Sequence, residues 1–290
     1  MNTPVLILGM HRSGTTMIAS MLDELGLFLG RDLEENHESM FFLKLNEWVL
    51  RQSGGSWDNP GAIGRLFNSK EHLDLYTDYL EARFKGLASS SFWGFYRFID
   101  QGALQNRPMQ PWGWKDPRTT FTLPIWSKIF PKAKVINIYR NGVSVAASLR
   151  AREQKMMREA RLLHDRRKSL GLYWFLEKKG GFGWSPRCSQ LGQGFQLWEE
   201  YVVESERALQ RSGMEAFQIR YEDFLLNPAE NLKDMAEFCG LDPTTNRLDE
   251  VAAKCRPERA AKFKESPKLA EFYNSVKDSP LMRKLGYQEI

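Results

Sequence analysis

The chain has 290 residues, of which 42 % are apolar and 27 % charged, with a formal net charge of +5 and a mean hydropathy of −0.48. That composition belongs to an ordinary globular protein and excludes a disordered chain or one built around membrane spans. Three widely spaced cysteines, Cys188, Cys239 and Cys255, offer neither a disulfide framework nor a zinc pattern. A reducing compartment is expected, the cytoplasm being the simplest. "PVLILGM" is too short for a signal segment and runs straight into His11 and Arg12.

In chain order, "VLIL" at 5 to 8 reads as a buried strand, and "TTMIASMLDELGL" after it carries Met17, Met21 and Leu25 on one helical face. Between them lies "GMHRSGTT", residues 9 to 16, a strand, glycine turn and helix in the order that phosphate-binding loops use. Helical patterns follow at 16–26, 38–51, 70–86, 142–168, 194–211 and 229–239, with "NP" at 227 and 228 marking a helix start. Further strands are read near "WGWK" at 112–115, "KVINIY" at 134–139, "AFQIRY" at 216–221 and in the aromatic run "FWGFYRFI" at 92–99. Strands and helices in alternation predict an α/β fold: a phosphate-loop-like three-layer architecture with a central parallel sheet flanked by helices. The expected organisation is one domain over 1–290, with a lid or acceptor-binding insertion at about 151–194. Its glycines at 171, 180, 181, 183, 192 and 194 suit a long loop, and Tyr173, Trp174, Phe175, Phe182 and Trp184 could wall a pocket. Residues 151–168 hold seven basic and three acidic side chains, most of the net charge, which suits either a solvated helix or steering of an anionic ligand.

The loop departs from the nucleotide-binding pattern G-x-x-x-x-G-K-[ST], because Thr15 stands where the lysine belongs and Arg12 carries the charge instead. Unpaired N–H groups at the helix start favour an anion there, with Gly14 allowing close approach. A second anion site is read at "YRNGVSVAASL", where Arg140 leaves the carboxyl edge of a strand and Ser148 follows eight residues later. Two anion sites on one sheet imply a ligand with anions at both ends.

These elements together resemble the sulfotransferases that use 3′-phosphoadenosine 5′-phosphosulfate (PAPS), in their bacterial, carbohydrate and tyrosylprotein branches. "RSGTT" at 12–16 is similar to their 5′-phosphosulfate loop and Arg140 with Ser148 to their 3′-phosphate element. "KDPR" at 115–118 with "FPKAKVINIYRNG", and "IRYEDFLLNPAENLKDMAEFCGL" at 219–241, complete the order. The resemblance implies sulfuryl transfer from PAPS to a hydroxyl or amine of a small-molecule, carbohydrate or peptide acceptor, leaving 3′-phosphoadenosine 5′-phosphate (PAP). Neither a metal, a nucleic acid partner nor a membrane span is expected. By resemblance Arg12, Ser13, Gly14, Thr15 and Thr16 hold the phosphosulfate, Lys115 contacts the sulfonate, and Tyr221 stacks on adenine. Arg259, within a basic tail that also holds Arg256, Lys262 and Lys264, closes over the 3′-phosphate. Glu38 is the expected general base, with His37 and Glu47 as alternatives. Two other readings stay open: a nucleotide kinase, for which the missing lysine is unfavourable, and a non-catalytic nucleotide-binding module.

Overall fold

The structure, a computed structural model, describes residues 3–95, 110–257 and 262–289. Four strands form one parallel sheet: β1 (Val5–Gly9), β2 (Gly113–Lys115), β3 (Lys134–Tyr139) and β4 (Ala216–Arg220), in the order β2-β1-β3-β4. The register pairs Ile7 with Lys115 on one side and with Ile136 on the other, and Ile138 with Ile219. All five residues of β1 are buried, as a continuous apolar run between helical layers requires. Parallel strands also bring their carboxyl ends to one edge, where open α/β sheets place ligands.

The principal helices are α1 (Thr15–Glu24), α2 (Met40–Gln52), α3 (Lys70–Lys85), α4 (Thr119–Ile129), α5 (Gly142–Ser169), α6 (Leu191–Ser212), α7 (Tyr221–Leu226), α8 (Pro228–Phe238) and α9 (Thr245–Ala252). Two more, α10 (Pro267–Val276) and α11 (Pro280–Lys284), follow toward the end. Ile18 and Leu22 of α1 and Leu232 and Met235 of α8 pack with Val5, Ile7, Ile136 and Ile138 in one core. A second core is aromatic: Phe42 of α2 stacks on Trp114 of β2 at 3.9 Å between ring centroids, and Trp126 of α4 meets both rings.

Contacts divide the chain into two compact units, one of Met1–Arg140 with Glu200–Ala260, the other of Asn141–Glu199 with Ala261–Ile290. The first contains the whole sheet. The second is built on α5, whose start is capped by the Asn141 side chain accepting from the N–H groups of Val143 and Ser144. Segment 151–194 lies in this unit.

Four of the five expected strands are present. The fifth is corrected at its described end: Phe92 and Trp93 close a short helical turn, Ser90–Trp93, and 96–99 fall outside the described residues. Helix α4 is an addition, formed although Pro124 lies inside it. Its Phe121, Leu123, Ile125 and Trp126 are all buried, so tertiary packing outweighs the lost hydrogen bond.

Candidate active site

The turn after β1 is held from within, Ser13 N donating to Met10 O at 3.1 Å, and Arg12 adopts a left-handed φ of 73°. Gly14 is the N-cap of α1 at φ 93°, and being glycine it supplies no side chain to the first N–H groups of the helix. Those donors and the helix dipole face the turn, an arrangement that favours an anion. The Ser13 hydroxyl is buried and has no hydrogen-bond partner among the described residues. A buried hydroxyl without a partner costs stability unless something else binds it. Gly14 is also required sterically, since a Cβ there would collide with the Tyr221 ring.

Behind the loop lies a network of buried charges. Lys115, the last residue of β2, is 2 % exposed and donates to Glu38 Oε1 at 2.8 Å, to Asn36 O at 3.0 Å and to Thr16 Oγ1 at 3.5 Å. Glu38, 4 % exposed, lies just before α2 and takes Arg118 Nη1 on its other oxygen at 3.1 Å. Arg118 in turn donates to Asp116 Oδ1 at 2.9 Å. Asp116 Oδ2 accepts from Asn46 Nδ2 at 2.8 Å, and Asn46 Oδ1 accepts from Thr122 Oγ1 and Trp126 Nε1, both at 2.7 Å. Burial raises the Asp116 carboxyl above its ordinary range, with Arg118 opposing that shift. For Arg118 the balance is reversed: burial pulls it down, but Asp116 and Glu38 together hold it above its usual value.

The segment "KDPR" therefore does more than carry Lys115. Asp116 and Arg118, to which the sequence reading assigned no role, connect Glu38 to the α2–α4 core through Asn46. On a neighbouring side, His11 packs edge-on to Trp57 at 5.0 Å and to Tyr201 at 6.0 Å, and the Tyr201 hydroxyl donates to Trp57 O at 2.8 Å. Burial pushes the Tyr201 hydroxyl well above its ordinary value. His11, Trp57 and Tyr201 come from three distant stretches, so no local pattern could have joined them.

The remaining expected residues are distributed as follows. Arg140, just beyond β3, donates through Nη1 to Arg12 O at 3.0 Å, and its guanidinium lies 4.6 Å from the centroid of the Tyr221 ring. Tyr221 opens α7 and is 4 % exposed, with Gly14 against its ring edge. The loop, Arg140 and Tyr221 are thus one interlocked assembly. Ser148 lies on α5 in the second unit, half-buried. His37 has a left-handed φ of 58°, and Glu47 is in an exposed helical pair with Arg51 at 2.9 Å. Arg259 lies outside the described residues, while Arg256 and Lys264 are exposed. Among the described residues, no group of three or more His, Cys, Asp or Glu side chains is arranged to hold a metal ion. No helix among them is long and apolar enough to cross a membrane.

A parallel sheet whose first strand feeds a glycine turn and a bare helix N-terminus defines a phosphate-loop α/β protein. The particular branch follows from sequence: the family model described as "Sulfotransferase family" matches residues 4–245, and the chain belongs to that family. Among solved structures it is similar to the sulfotransferase domain from the curacin biosynthetic pathway, at 16 % identity over 96 % of this chain and 98 % of that one, TM-score 0.47. It is also similar to a sulfotransferase from Alicyclobacillus acidocaldarius, at 14 % identity over 100 % of this chain and 98 % of that one, TM-score 0.46. No curated protein sequence matches the chain.

Proposed function

We propose that the protein transfers a sulfuryl group from PAPS to a hydroxyl or amine of an acceptor, releasing PAP. The observation that carries this reading is Lys115, a single buried ammonium shared between Glu38 and the Thr16 hydroxyl of the phosphate loop. It links a candidate base to a candidate anion site within one hydrogen bond of each. PAPS supplies the activated sulfur and a phosphate leaving group; the chain supplies position and charge.

Arg12 and the N–H groups at the start of α1 would hold the 5′-phosphosulfate, and the unsatisfied Ser13 hydroxyl fits that ligand. The resemblance assigns the 3′-phosphate to Arg140 and Ser148. By the resemblance Tyr221 would stack on adenine, while its ring also packs against Gly14 of the loop and Arg140. Glu38 takes the acceptor proton as the acceptor oxygen or nitrogen bonds to sulfur and the bond from sulfur to the bridging oxygen breaks. Each oxygen of Glu38 accepts one ion-pair hydrogen bond, which orients it and leaves lone-pair capacity for that proton. Lys115 and Arg12 would offset the negative charge shared among the sulfonate and the departing oxygen. No metal is required by this arrangement.

The deciding experiment is a PAPS-dependent screen of hydroxylated and amino acceptors, read by PAP release and the mass gain of one sulfonate. PAP should raise Tm more than ATP with magnesium does. Equal, magnesium-dependent stabilisation by ATP would favour a kinase. PAP binding with no turnover over a broad acceptor panel would favour a binding module.

A further inference from the structure

Helix α5 changes character at Glu153. Before it, Val143, Val145, Ala146 and Leu149 are buried; after it, no described residue of the helix is. The chain then turns at Gly171 (φ 63°) and returns alongside the helix. Tyr173 Oη lies 3.1 Å from His164 Nδ1, Phe182 packs edge-on to His164, and Glu153 accepts from the N–H groups of Trp184 and Ser185, each at 3.0 Å. The result is a hairpin whose tip carries Leu170, Trp174, Phe175 and Leu176, with exposures of 62, 88, 83 and 58 %. Arg166, Arg167 and Lys168 in the last turn of the helix and Lys179 just after the tip are all exposed, outnumbering the exposed Asp165 and Glu177 of the same stretch.

We propose that this tip is a docking surface for an anionic lipid bilayer, the aromatic and leucine side chains entering the headgroup region and the basic residues meeting the lipid charge. Isolated exposed apolar residues are ordinary, but four at one helix end, two of them aromatic and nearly fully exposed, are not. Tryptophan and phenylalanine beside arginine and lysine form the combination that interfacial anchors use. Charge selects the occupant. A second copy meeting the first tip to tip would bring two like-charged tips together, whereas an anionic surface complements that charge. The inference stands on the second unit alone and does not depend on the sulfotransfer reading.

The test is co-sedimentation with vesicles of phosphatidylcholine alone and with about 30 % phosphatidylserine. The intact protein should bind the anionic vesicles at least about tenfold better and be released by about 0.5 M NaCl. Each basic residue near such a surface contributes about a fivefold factor. Joint Arg166→Gln, Arg167→Gln and Lys168→Gln changes should therefore weaken binding by about a hundredfold, and Trp174→Ser with Phe175→Ser by more than about tenfold. Brominated lipid should quench tryptophan fluorescence in the unaltered protein, and Trp174→Phe should abolish most of that quenching. Equal binding to neutral vesicles, or no quenching by brominated lipid, overturns the proposal. So does self-association that the Trp174 and Phe175 changes abolish, which would make the tip a contact between copies.

Discussion

The charge network of the first unit and the hairpin tip of the second solve opposite problems. Around Glu38, four ionisable side chains, Glu38, Lys115, Asp116 and Arg118, are buried at 0 to 7 % exposure and joined by ion pairs, although Arg118 Nε has no partner among the described residues. At the tip, apolar side chains stand in solvent, with exposed cations on either side of them in the chain. Burying charge costs several kcal/mol per ion unless the partners are well placed, so removing one member of the first arrangement leaves its partners' charges exposed to that cost. Exposing a few aromatics costs the folded state little, so the second is open to change. Precision therefore belongs to one region and adaptability to the other.

Experiments that separate the two regions can be ranked by effect. Glu38→Gln removes the basic oxygen, and single-turnover sulfuryl transfer should fall by about 10²- to 10⁴-fold. PAP affinity, read by calorimetry, should hardly move; near-normal turnover would shift attention to His37. Next is Arg118→Met, which leaves Glu38 and Asp116 short of a shared cation in the interior. Urea unfolding should show a loss of about 3–5 kcal/mol, and a loss below 1 kcal/mol would mean that the network is solvated in solution. A smaller effect comes with alkali. Burial pushes the Tyr139 hydroxyl and the Cys239 thiol each up to about 12, from ordinary values of 10.0 and 9.0. The folded protein thus holds these protons more tightly than the unfolded chain, which loses them first. Stability should fall as pH rises from about 9 toward 12, seen as a declining Tm. The smallest effect is expected at the tip, where Trp174→Ser with Phe175→Ser should change unfolding free energy by no more than about 0.5 kcal/mol per site. A drop comparable to that of Arg118→Met would show that the tip is packed in solution and end the contrast.

Much of the sheet was legible because its strands are short, branched and bounded by turn residues, and β1, β3 and β4 fall within a residue of the expected spans. Helix α4 was not, since "TTFTLPIWSKI" has poor helix formers and an internal proline; it forms because Trp126 and Phe121 have buried places to occupy. At the site, spacing and resemblance singled out the loop, Glu38, Lys115 and Arg140 as separate elements. That Lys115 touches both Glu38 and Thr16, and that Arg140 touches the Arg12 carbonyl, depends on side chains 77, 99 and 128 residues apart. Periodicity carries no record of such pairings. Asp116 and Arg118 were visible in "KDPR", but their significance is burial, which no single-residue pattern states.

Glu153 has a consequence for how such a protein can diversify. Its carboxylate fastens the backbone amides of Trp184 and Ser185 at the far end of the returning segment, and a Cβ on Gly183 would press against that carboxylate. Everything between residues 154 and 183 is then a segment closed at a fixed gate. Doubling the length of such a segment adds only about 0.6 kcal/mol of closure entropy. The hairpin can thus be exchanged as a cassette, lengthened, shortened or rewritten, so long as its two end points keep their hydrogen bonds.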